Sequence, residues 1–377
     1  MPFARRHAEH VIEILLPAHQ ARVPGGIGVI AGALARHLPG ALPPGDRLTI
    51  LGLEGEARPG GSPARRPLLG VRGSIVRMLY EQSQVARHAQ SSDLVHLCDA
   101  RPLLLSHAPF LITVHDVTFA EHPDWMPRHA ALYKSAMLRA AVLRRPRAIV
   151  CDSHHTRERL LACLPMARRV RIDVVHLGVD PPPPSVTWQP QQAEPYFLTL
   201  STIVPRKNHM TLLSAFRYLR RAGFPLRWKV AGSAGHLSAP IVAALRAQEG
   251  IDVMGYVSQE DRESLLAGAT FFALPSHEEG FGFPVLEAMV RGVPTACSSG
   301  SALDEVAGDD ALRVIPTDRK GWVEALSVLS SDAALRQKLS AAGRLRAQRF
   351  NWQSTAQQLV TLYDDLRGDV TDVAPAS

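Results

Sequence analysis

The sequence predicts an α/β protein made of two doubly wound domains, each with a parallel β-sheet covered by helices. Short apolar runs of strand type alternate with helical stretches along the whole chain, which is typical of right-handed βαβ units. Four consecutive prolines, residues 181–184, interrupt this alternation near the middle of the chain. The length of 377 residues is also sufficient for two domains of ordinary size.

Twelve segments are candidates for the strands of the two sheets. The six in the first half are Val11–Leu16, Leu48–Leu53, Leu94–Cys98, Phe110–Val114, Ala148–Cys151 and Val174–Leu177. The six in the second half are Phe197–Ser201, Trp228–Ala231, Val253–Met254, Phe271–Leu274, Val293–Cys297 and Leu312–Ile315. Doubly wound domains bind ligands at the carboxyl ends of their strands, so we expect the active site in a central cleft that both sheets face.

The proline run divides the chain into a first domain of residues 1–180 and a second domain of residues 196–349. Prolines cannot continue a helix or a central strand, so residues 181–195 are expected to form a stiff linker. Apolar residues recur at helical spacing from Phe350 to Leu366 and predict a terminal helix. We expect residues 350–377 to contain this helix, which packs back on the first domain, and a short tail.

The composition is that of a globular protein, because 46% of the residues are hydrophobic and 20% are charged. No apolar run reaches the roughly eighteen residues that a membrane span needs. Glu13 interrupts the first apolar segment, which we therefore interpret as a strand and not as a signal peptide. The four cysteines are scattered, which argues against a zinc site or a disulfide framework and favours the cytoplasm.

The positive charge is concentrated in the first half of the chain. Residues 1–180 contain 23 Lys and Arg against 15 Asp and Glu, a balance of +8, whereas the remainder contains 19 against 20. A solvated face explains this as well as an anionic membrane surface or an acidic acceptor does. No aromatic residues interleave the arginines as a nucleic-acid platform requires, so no nucleic-acid partner is expected. The basic residues include Lys134, Arg139, Arg144, Arg145, Arg147, Arg157, Arg159, Arg168, Arg169 and Arg171.

The most informative stretch follows the candidate strand Phe271–Leu274 and contains Glu279 and Glu287, eight positions apart. Pro284 is suited to the first position of a helix that ends near Gly292. Glycines in the loop allow a close approach of the backbone, and free N–H groups at the helix start attract anions. Each acid would suit a hydroxyl-rich part of a ligand, such as a sugar or a ribose. The alternative is a glycine-rich turn with a carboxylate that the helix dipole favours.

Arg206 and Lys207 belong to the stretch Thr202–Asn208, which directly follows the strand Phe197–Ser201. Adjacent cations at the carboxyl end of a strand suit a diphosphate, because Arg can bind it with two parallel hydrogen bonds while Lys acts as a point charge. A solvated basic turn is the alternative, and the pair by itself does not exclude it.

Two further motifs lie in the first half. Gly26, Gly28 and Ala31 fit the dinucleotide pattern G-x-G-x-x-A between a strand and a helix, although a glycine turn that approaches a substrate fits equally well. His115 and Asp116 end the strand Phe110–Val114. His115 either faces the cleft or is a structural histidine that caps a turn together with Asp116. His154, His155 and His176, which also lie in this half, show no metal-site spacing, and we interpret them as structural.

These motifs, in this order, resemble the retaining glycosyltransferases of the GT-B fold, family 4, and the resemblance covers most of the chain. Glu279 and Glu287 match the E-x7-E motif of the family, and residues 202–208 match its T-I-x-P-R-K-N segment. The other matching segments are Gly25–Gly28, His115–Asp116, Ser153–Arg159, Leu177–Asp180, Gly255–Val257, Gly292–Pro294 and Glu305–Val306.

The resemblance implies a role for each matching residue. The implied catalytic residues are Glu279, His115, Arg206 and Lys207. The implied donor-binding residues are Gly26, Gly28, Arg206, Lys207, Tyr256, Val257, Glu279, Gly280, Phe281, Gly282, Phe283, Leu286 and Glu287. The implied acceptor-binding residues are Gly25, His115 and Asp116.

In the scheme that the resemblance implies, Arg206 and Lys207 neutralise the leaving diphosphate while Glu287 binds the ribose. Glu279 then lies at the donor sugar, and the base lies near Tyr256 and Val257. No Asp-x-Asp stands at a strand end, so neither a metal nor another cofactor is expected beyond the nucleotide-sugar donor itself. Retention is expected to come from attack on the same face of the sugar, since Glu287 is occupied by the ribose.

GDP-mannose is the favoured donor, and UDP- or dTDP-hexoses are the alternatives. The expected acceptor is a saccharide attached to a polyprenyl diphosphate, which the enzyme would meet at the inner face of the cytoplasmic membrane. A soluble small-molecule acceptor is the main rival. A nicotinamide oxidoreductase built on Gly26 and Gly28 is a remote alternative, because it leaves the Glu279–Glu287 pair unexplained. A sugar-nucleotide binding protein without catalytic activity is a further one.

Overall fold

The computed structural model describes residues 11–22, 26–52, 74–184, 187–190 and 193–368. Gly25, the end of the predicted strand Leu48–Leu53 and the end of the tail lie outside the described residues. Within these ranges the chain forms two separate parallel sheets, one in each half. None of the described helices is long and apolar enough to cross a bilayer.

The first sheet has six parallel strands in the spatial order β2-β1-β3-β4-β5-β6. They are β1 (Glu13–Pro17), β2 (Arg47–Leu51), β3 (Leu94–Leu97), β4 (Phe110–Val114), β5 (Ala148–Cys151) and β6 (Arg171–Val174). β3, β4 and β5 are buried along their whole length. In β1, Leu15 packs into a different hydrophobic cluster from Ile14 and Leu16, so both faces of the sheet are covered.

The second sheet also has six parallel strands, in the order β12-β11-β10-β7-β8-β9. They are β7 (Tyr196–Leu200), β8 (Arg227–Ala231), β9 (Ile251–Gly255), β10 (Phe271–Leu274), β11 (Thr295–Ser298) and β12 (Leu312–Val314). The Phe197 ring stacks on Phe271 and Trp228, with centroids 5.1 and 5.5 Å apart. Neighbouring residues of β7 again point into different clusters, so this sheet too is covered on both faces.

Thirteen α-helices of the described residues surround the two sheets. They are α1 (Gly26–Ala41), α2 (Ser74–Ala89), α3 (Thr118–Glu121), α4 (Arg128–Leu143), α5 (His154–Cys163), α6 (His209–Arg221), α7 (Ala239–Arg246), α8 (Gln259–Gly268), α9 (Phe283–Val290), α10 (Leu303–Ala307), α11 (Arg319–Ser331), α12 (Ala333–Ala347) and α13 (Trp352–Gly368). The predicted fold class of two doubly wound α/β domains is confirmed.

The last helix, α13, follows the second domain in sequence but packs on the first. The Tyr363 hydroxyl lies 2.6 Å from Nδ1 of the buried His96, and Arg367 pairs with Asp46 at 3.0 Å. α13 also packs along α1. The apolar residues of 350–366 therefore belong to a helix that returns from the second domain to the first.

One predicted strand is displaced. The sequence predicts Val174–Leu177, whereas β6 is Arg171–Val174 and pairs with β5 through Val150 and Asp173. Val175 and Leu177 are buried in the hydrophobic core although they are not paired strand residues. The apolar residues identify the buried segment, but the residues that pair with β5 lie mostly just before it.

Each sheet has a switch point, where the order of its strands reverses. It lies between β1 and β3 in the first sheet and between β7 and β10 in the second. Loops that leave the two strands at such a point diverge and leave a crevice at the carboxyl edge of the sheet. The loops after β7 and β10 contain Arg206, Lys207 and Glu279.

Candidate functional site

Arg206, Lys207 and Glu279 form one compact group at the switch point of the second sheet, called here the Lys207–Glu279 cluster. Lys207 Nζ donates a hydrogen bond to Glu279 Oε1. Arg206 Nη1 lies 3.3 Å from Glu279 Oε2, and Ser276 Oγ donates to Oε1 at 2.6 Å. The side chains of Lys207 and Glu279 are more than nine-tenths buried. The cationic pair and the first carboxylate of the sequence motifs therefore share one buried position.

Asn208 holds the turn that carries the two cations. Its backbone is left-handed, with φ 53°, a region that Asn tolerates better than most residues. Its Nδ2 donates to the carbonyls of Pro275 and Pro316 at 3.0 and 2.8 Å. Its Oδ1 accepts from Thr211 Oγ1 at 2.7 Å. Asn208 thereby ties the turn after β7 to the loops after β10 and β12, which keeps Lys207 beside Glu279.

The three groups of the cluster change each other's ionisation. Burial, together with the charge of Arg206, lowers the pKa of Lys207 to about 8. Burial opposes ionisation of Glu279, but the charges of Lys207 and Arg206 outweigh it and lower the pKa of this carboxyl to about 2. At neutral pH the cluster holds two positive charges and one negative charge. It therefore attracts an anion, and guanidinium and ammonium donors of this kind suit a diphosphate.

Asp116 faces this cluster from the first domain. Burial lowers the pKa of Arg206, but the carboxylates of Glu279 and Asp116 outweigh it, so that the net shift is upward. The Asp116 carboxylate also accepts the backbone N–H of Thr118 at 3.1 Å, which fixes its direction. The predicted acceptor residue thus lies across the cleft from the predicted diphosphate site.

His115 is held inside the first domain. Its Nδ1 lies 2.7 Å from Asp152 Oδ2, and its Nε2 lies 2.8 Å from the carbonyl of Cys98. Burial disfavours the charged ring, but Asp152 and the Cys98 carbonyl raise the pKa of His115 to about 9. A protonated ring that donates from both nitrogens satisfies both acceptors. In this arrangement neither nitrogen is free for a sugar, and the partner of the structural histidine is Asp152 and not Asp116.

Gly280 brings the backbones of the two domains together. A Cβ at this position would lie 1.8 Å from the carbonyl oxygen of His115, so only glycine fits. The Gly280 carbonyl accepts from Ser153 Oγ at 2.8 Å and from Thr156 Oγ1 at 3.0 Å. The sequence attributes this glycine to a close approach of donor, whereas the structure shows that it makes room for the other domain.

The loop after Glu279 ends at α9, which begins at Phe283, so Pro284 is its second residue and not its first. Gly282 caps the helix with φ 105°. The Phe281 side chain is buried against Phe283 and Phe350, with ring centroids 5.4 and 5.9 Å apart. Leu286 is fully buried in the same hydrophobic core. Contacts of Phe281 and Leu286 with a donor would therefore have to come from their backbone.

Glu287 lines a cavity of about 610 Å³ between the two domains. Gly28 in α1 lies on one side of it and Tyr256, 75% exposed, on the other. Arg262 Nη2 donates to Glu287 Oε2. Burial raises the pKa of Glu287 in spite of this neighbour. The cavity thus joins the glycine motif of the first domain to the second carboxylate and to the predicted base position.

Two other predicted donor residues lie near this cavity. A Cβ on Gly26, the first residue of α1, would have none of the described atoms within 4 Å. Val257 is half-buried and packs against the hydrophobic core beside the cavity. Sequence reasoning missed Arg262, because its position on α8 follows no motif and only the fold brings it to Glu287.

Sequence reasoning also missed a contact between Glu305 and the start of α5. The Glu305 carboxylate accepts the backbone N–H groups of His154 and His155 at 2.9 and 2.6 Å. His176 Nε2 lies 3.1 Å from the same carboxylate. A carboxylate is favourable at a helix N-terminus. Ser153, which caps α5, marks that terminus in the sequence, but only the fold shows that the anion comes from the other domain.

Of the described residues, one group has the arrangement of possible metal ligands. His154, His176 and Glu305 offer ligand atoms that all lie within 4.8 Å of one another. Both oxygens of Glu305 already accept backbone N–H groups of α5. We therefore assign this group to the contact between the domains.

Comparisons with known proteins give matches in both halves of the chain. The family model described as "Glycosyltransferase Family 4" matches residues 24–182, and the model described as "Glycosyl transferases group 1" matches residues 187–346. The O-antigen chain mannosyltransferase B of Escherichia coli is 32% identical over 57% of this chain and 52% of that protein. The MMP α-(1→4)-mannosyltransferase of Mycolicibacterium hassiacum is 31% identical over 52% of this chain and 48% of that protein. The matches thus span about half the length of these relatives.

A solved structure extends the likeness to the whole fold. The sucrose-phosphate synthase of Thermosynechococcus elongatus superposes with a TM-score of 0.73 at 18% identity, over 96% of this chain and 100% of that chain. At this identity the likeness establishes the fold alone. The two family models together cover both domains, and the chain belongs to the family 4 glycosyltransferases of the GT-B fold.

Proposed function

We propose that the protein is a retaining hexosyltransferase that moves mannose from GDP-mannose to a hydroxyl group of a saccharide acceptor. The observation that carries this proposal is the Lys207–Glu279 cluster at the switch point, with Asp116 opposite it. Membership of the family supports glycosyl transfer. The names of two relatives, both mannosyltransferases, support mannose.

Lys207 and Arg206 stabilise the leaving group in this scheme. When the bond between the anomeric carbon and the diphosphate breaks, negative charge develops on the departing oxygen. Two cations that are already fixed in a buried site stabilise that charge without reorganising at the moment of reaction. Because these side chains supply the charge, we propose that the reaction needs no metal or other cofactor, and activity should survive a chelator.

Glu287 and its cavity suit the nucleoside part of the donor. A carboxylate accepts hydrogen bonds from ribose hydroxyls, and Gly28 on the opposite side allows a close approach of the backbone. Tyr256 offers an exposed aromatic ring on which a base can stack. The donor would then extend from this cavity to the Lys207–Glu279 cluster, with its sugar near Glu279.

With Glu287 at the ribose, only Glu279 remains near the sugar, so the two carboxylates do not flank one bond as they do in a retaining glycosidase. We propose that the acceptor oxygen attacks the face from which the diphosphate leaves. The bond from that oxygen to the anomeric carbon forms, and the bond to the diphosphate breaks. The proton of the acceptor hydroxyl moves to the departing phosphate oxygen.

The acceptor is proposed to be a saccharide carried on a polyprenyl diphosphate at the inner face of the cytoplasmic membrane. Its support is the surplus of basic residues in the first domain, which suits an anionic surface. A UDP- or dTDP-hexose donor with a soluble acceptor is the second candidate. The Lys207–Glu279 cluster is proposed to bind the diphosphate, which these donors share with GDP-mannose.

The first experiment measures binding of GDP-mannose, GDP, UDP-glucose, dTDP-rhamnose and NAD by calorimetry. We expect one sugar nucleotide to bind, and Lys207→Ala to weaken it by about a hundredfold because a charge-assisted contact to phosphate is lost. Lys338→Ala, which removes an exposed lysine of α12, is the matched control and should bind normally.

The outcomes separate the candidates. Binding of a UDP- or dTDP-sugar in place of GDP-mannose would replace the donor but keep the reaction. Binding of NAD alone would overturn the proposal, and so would unchanged affinity in Lys207→Ala. Product stereochemistry with the donor that binds then tests retention.

A further inference from the structure

A second cavity of about 610 Å³ lies at the amino edge of the first sheet. Its lining includes Phe110, which opens β4, Arg147, which precedes β5, and Arg171, which opens β6. Because the strands are parallel, this edge is opposite the carboxyl edge, where His115 and Asp116 follow β4. The cavity is therefore separate from the glycosyl-transfer cleft, and we call it the arginine cavity.

Five arginines from two chain segments converge on the arginine cavity. They are Arg144, Arg145, Arg147, Arg169 and Arg171. Of the described residues that line it, none is acidic. His107 adds a further titratable nitrogen from a third segment. A solvated basic surface spreads its charges, whereas here five arginines line one concave site.

Two of these arginines already have partners. Arg171 pairs with Asp173 and Asp365 at 2.9 and 2.8 Å. Arg144 Nη2 donates to the carbonyl of Ser106 at 2.7 Å. The Arg144 contact joins two of the three segments that line the cavity, and the pairing of β5 with β6 at Ala148 and Arg171 joins the third, so the site is built into the fold.

The other three arginines bring charge without compensation. In the described part of the chain, the side chains of Arg145, Arg147 and Arg169 make no hydrogen bond or ion pair. Arg145 also has a left-handed backbone, with φ 51°, which is unfavourable for a residue with a long side chain. Like charges that converge repel one another, and an anion between them removes that repulsion.

We propose that the arginine cavity is a second anion site, which binds a phosphoryl group of a molecule other than the sugar donor. Planar guanidinium groups match phosphate with two parallel hydrogen bonds, and several arginines around one cavity can surround its oxygens. The site goes beyond glycosyl transfer, and it does not depend on the identity of the donor.

Exposed leucines beside the cavity favour a phospholipid headgroup as the source of the phosphate. Leu105 is 55% exposed and Leu143 is 66% exposed, and each directly precedes a residue of the lining. Apolar side chains next to a cationic site are typical of surfaces that dock on anionic bilayers. Docking here would keep the cleft away from the bilayer by at least the length of β4, roughly 17 Å. An extended saccharide chain on a lipid could span that distance.

The test uses the full chain and one triple variant, Arg145→Asn, Arg147→Gln and Arg169→Gln. Asn is chosen at position 145 because it tolerates the left-handed backbone. The matched control, Arg221→Gln, Arg246→Gln and Lys338→Gln, removes the same charge from exposed positions of the second domain. A third variant with Lys at positions 145, 147 and 169 keeps the charge. It distinguishes the loss of charge from a folding defect caused by replacing these three side chains.

Two probes distinguish a lipid from a soluble phosphate. Vesicles of equal parts phosphatidylglycerol and phosphatidylcholine should bind the wild type, and this binding should fall about a hundredfold in the Asn/Gln/Gln variant. It should persist in the control and in the Lys variant, and it should weaken with salt. Inorganic pyrophosphate, measured by calorimetry, should occupy two sites in the wild type and one in the Asn/Gln/Gln variant.

Loss of the second pyrophosphate site without any vesicle binding would uphold the anion site and assign it to a soluble phosphate. Equal behaviour of the wild type and the Asn/Gln/Gln variant toward both probes would overturn the proposal. Binding of the sugar nucleotide tests the donor site separately, since the Asn/Gln/Gln variant should bind it as the wild type does.

Discussion

The two edges of the first sheet differ in whether their charged side chains have partners. At the carboxyl edge, which meets the second domain, charges are paired: His115 with Asp152, and Glu305 with the N-terminus of α5. The Lys207–Glu279 cluster continues this pairing on the other side of the cleft. At the amino edge, three arginines of the arginine cavity have no partner among the described residues.

The difference teaches what each edge is suited to do. Paired and buried charges hold side chains at fixed positions, and removal of one partner leaves an uncompensated buried charge. Unpaired and accessible charges contribute little to stability one by one, but they attract an opposite charge and salt screens them. The carboxyl edge is thus suited to precise chemistry, and the amino edge to recruitment.

The substitution Glu279→Gln should have the largest effect, because it removes a paired charge from the cleft. It keeps the shape of the side chain but removes the charge that Lys207 and Arg206 share. Leaving those cations without a carboxylate should cost about 3 kcal/mol of unfolding free energy. We also expect kcat to fall by about a thousandfold, because the donor sugar and the leaving group lose their fixed surroundings. Chemical denaturation and steady-state kinetics measure the two effects.

Glu260→Gln is the matched control, since Glu260 is an exposed acid in the first turn of α8. It should change neither the stability nor the turnover. Near wild-type turnover of Glu279→Gln would remove Glu279 from the proposed mechanism, even if the stability fell as expected.

The substitution Gly280→Ala should separate the two domains without changing any charge. The added methyl group would overlap the His115 carbonyl, so the loop must retreat and lose its hydrogen bonds from Ser153 and Thr156. A displacement of about 1 Å in a reacting geometry can cost roughly a hundredfold, and we expect kcat/KM to fall by about that factor. Small-angle scattering should show a less compact molecule.

Gly40→Ala provides the comparison for this variant. A Cβ on Gly40 would have none of the described atoms within 4 Å, so activity and compactness should be unchanged. If Gly280→Ala were as active as Gly40→Ala, the contact at Gly280 would not be needed for catalysis.

Much of the fold could be predicted because parallel sheets leave a strong pattern. Buried strands such as β5 and β10 consist of continuous apolar runs, and they occur where the sequence predicts them. The displaced prediction of β6 has a physical cause. Arg171 and Asp173 pair with β5 in an edge strand, but they are charged, so an apolar pattern does not include them. An apolar run in the sequence identifies a buried segment. It identifies a hydrogen-bonded strand only where the buried segment is also the paired one.

The candidate site was predictable where its functional residues lie in the loop that follows a strand. Arg206 and Glu279 stand just beyond β7 and β10, so the topology alone brings them to one edge. The same topology brings His115 to Asp152, because these residues directly follow the neighbouring strands β4 and β5, although no sequence motif links the two. The contact of Ser153 with Gly280 could not be predicted in this way, because it depends on how closely the two domains approach.

Glu305→Gln should give the smallest effect, and it sharpens the comparison because it removes one paired charge at the rim of the cleft. Burial raises the pKa of Glu305, but hydrogen bonds from His176 and from the backbones of His155 and His154 outweigh it and lower the pKa. The carboxylate therefore stabilises the domain contact fully above the ordinary pKa of Glu. Its contribution is lost as the pH falls through the lowered value.

At neutral pH the variant should lose about 1 kcal/mol at the N-terminus of α5. The amide hydrogens of His154 and His155 should then exchange with solvent about fivefold faster, as measured by mass spectrometry. In the wild type the same loss of protection should appear in acid, after correction for the intrinsic pH dependence of exchange. The variant, which has no carboxyl group at this position, should show no such step. If both proteins were equally protected at neutral pH, the charge of Glu305 would not hold the domains together, and their contact at this edge would depend on the hydrogen bonds of Gly280.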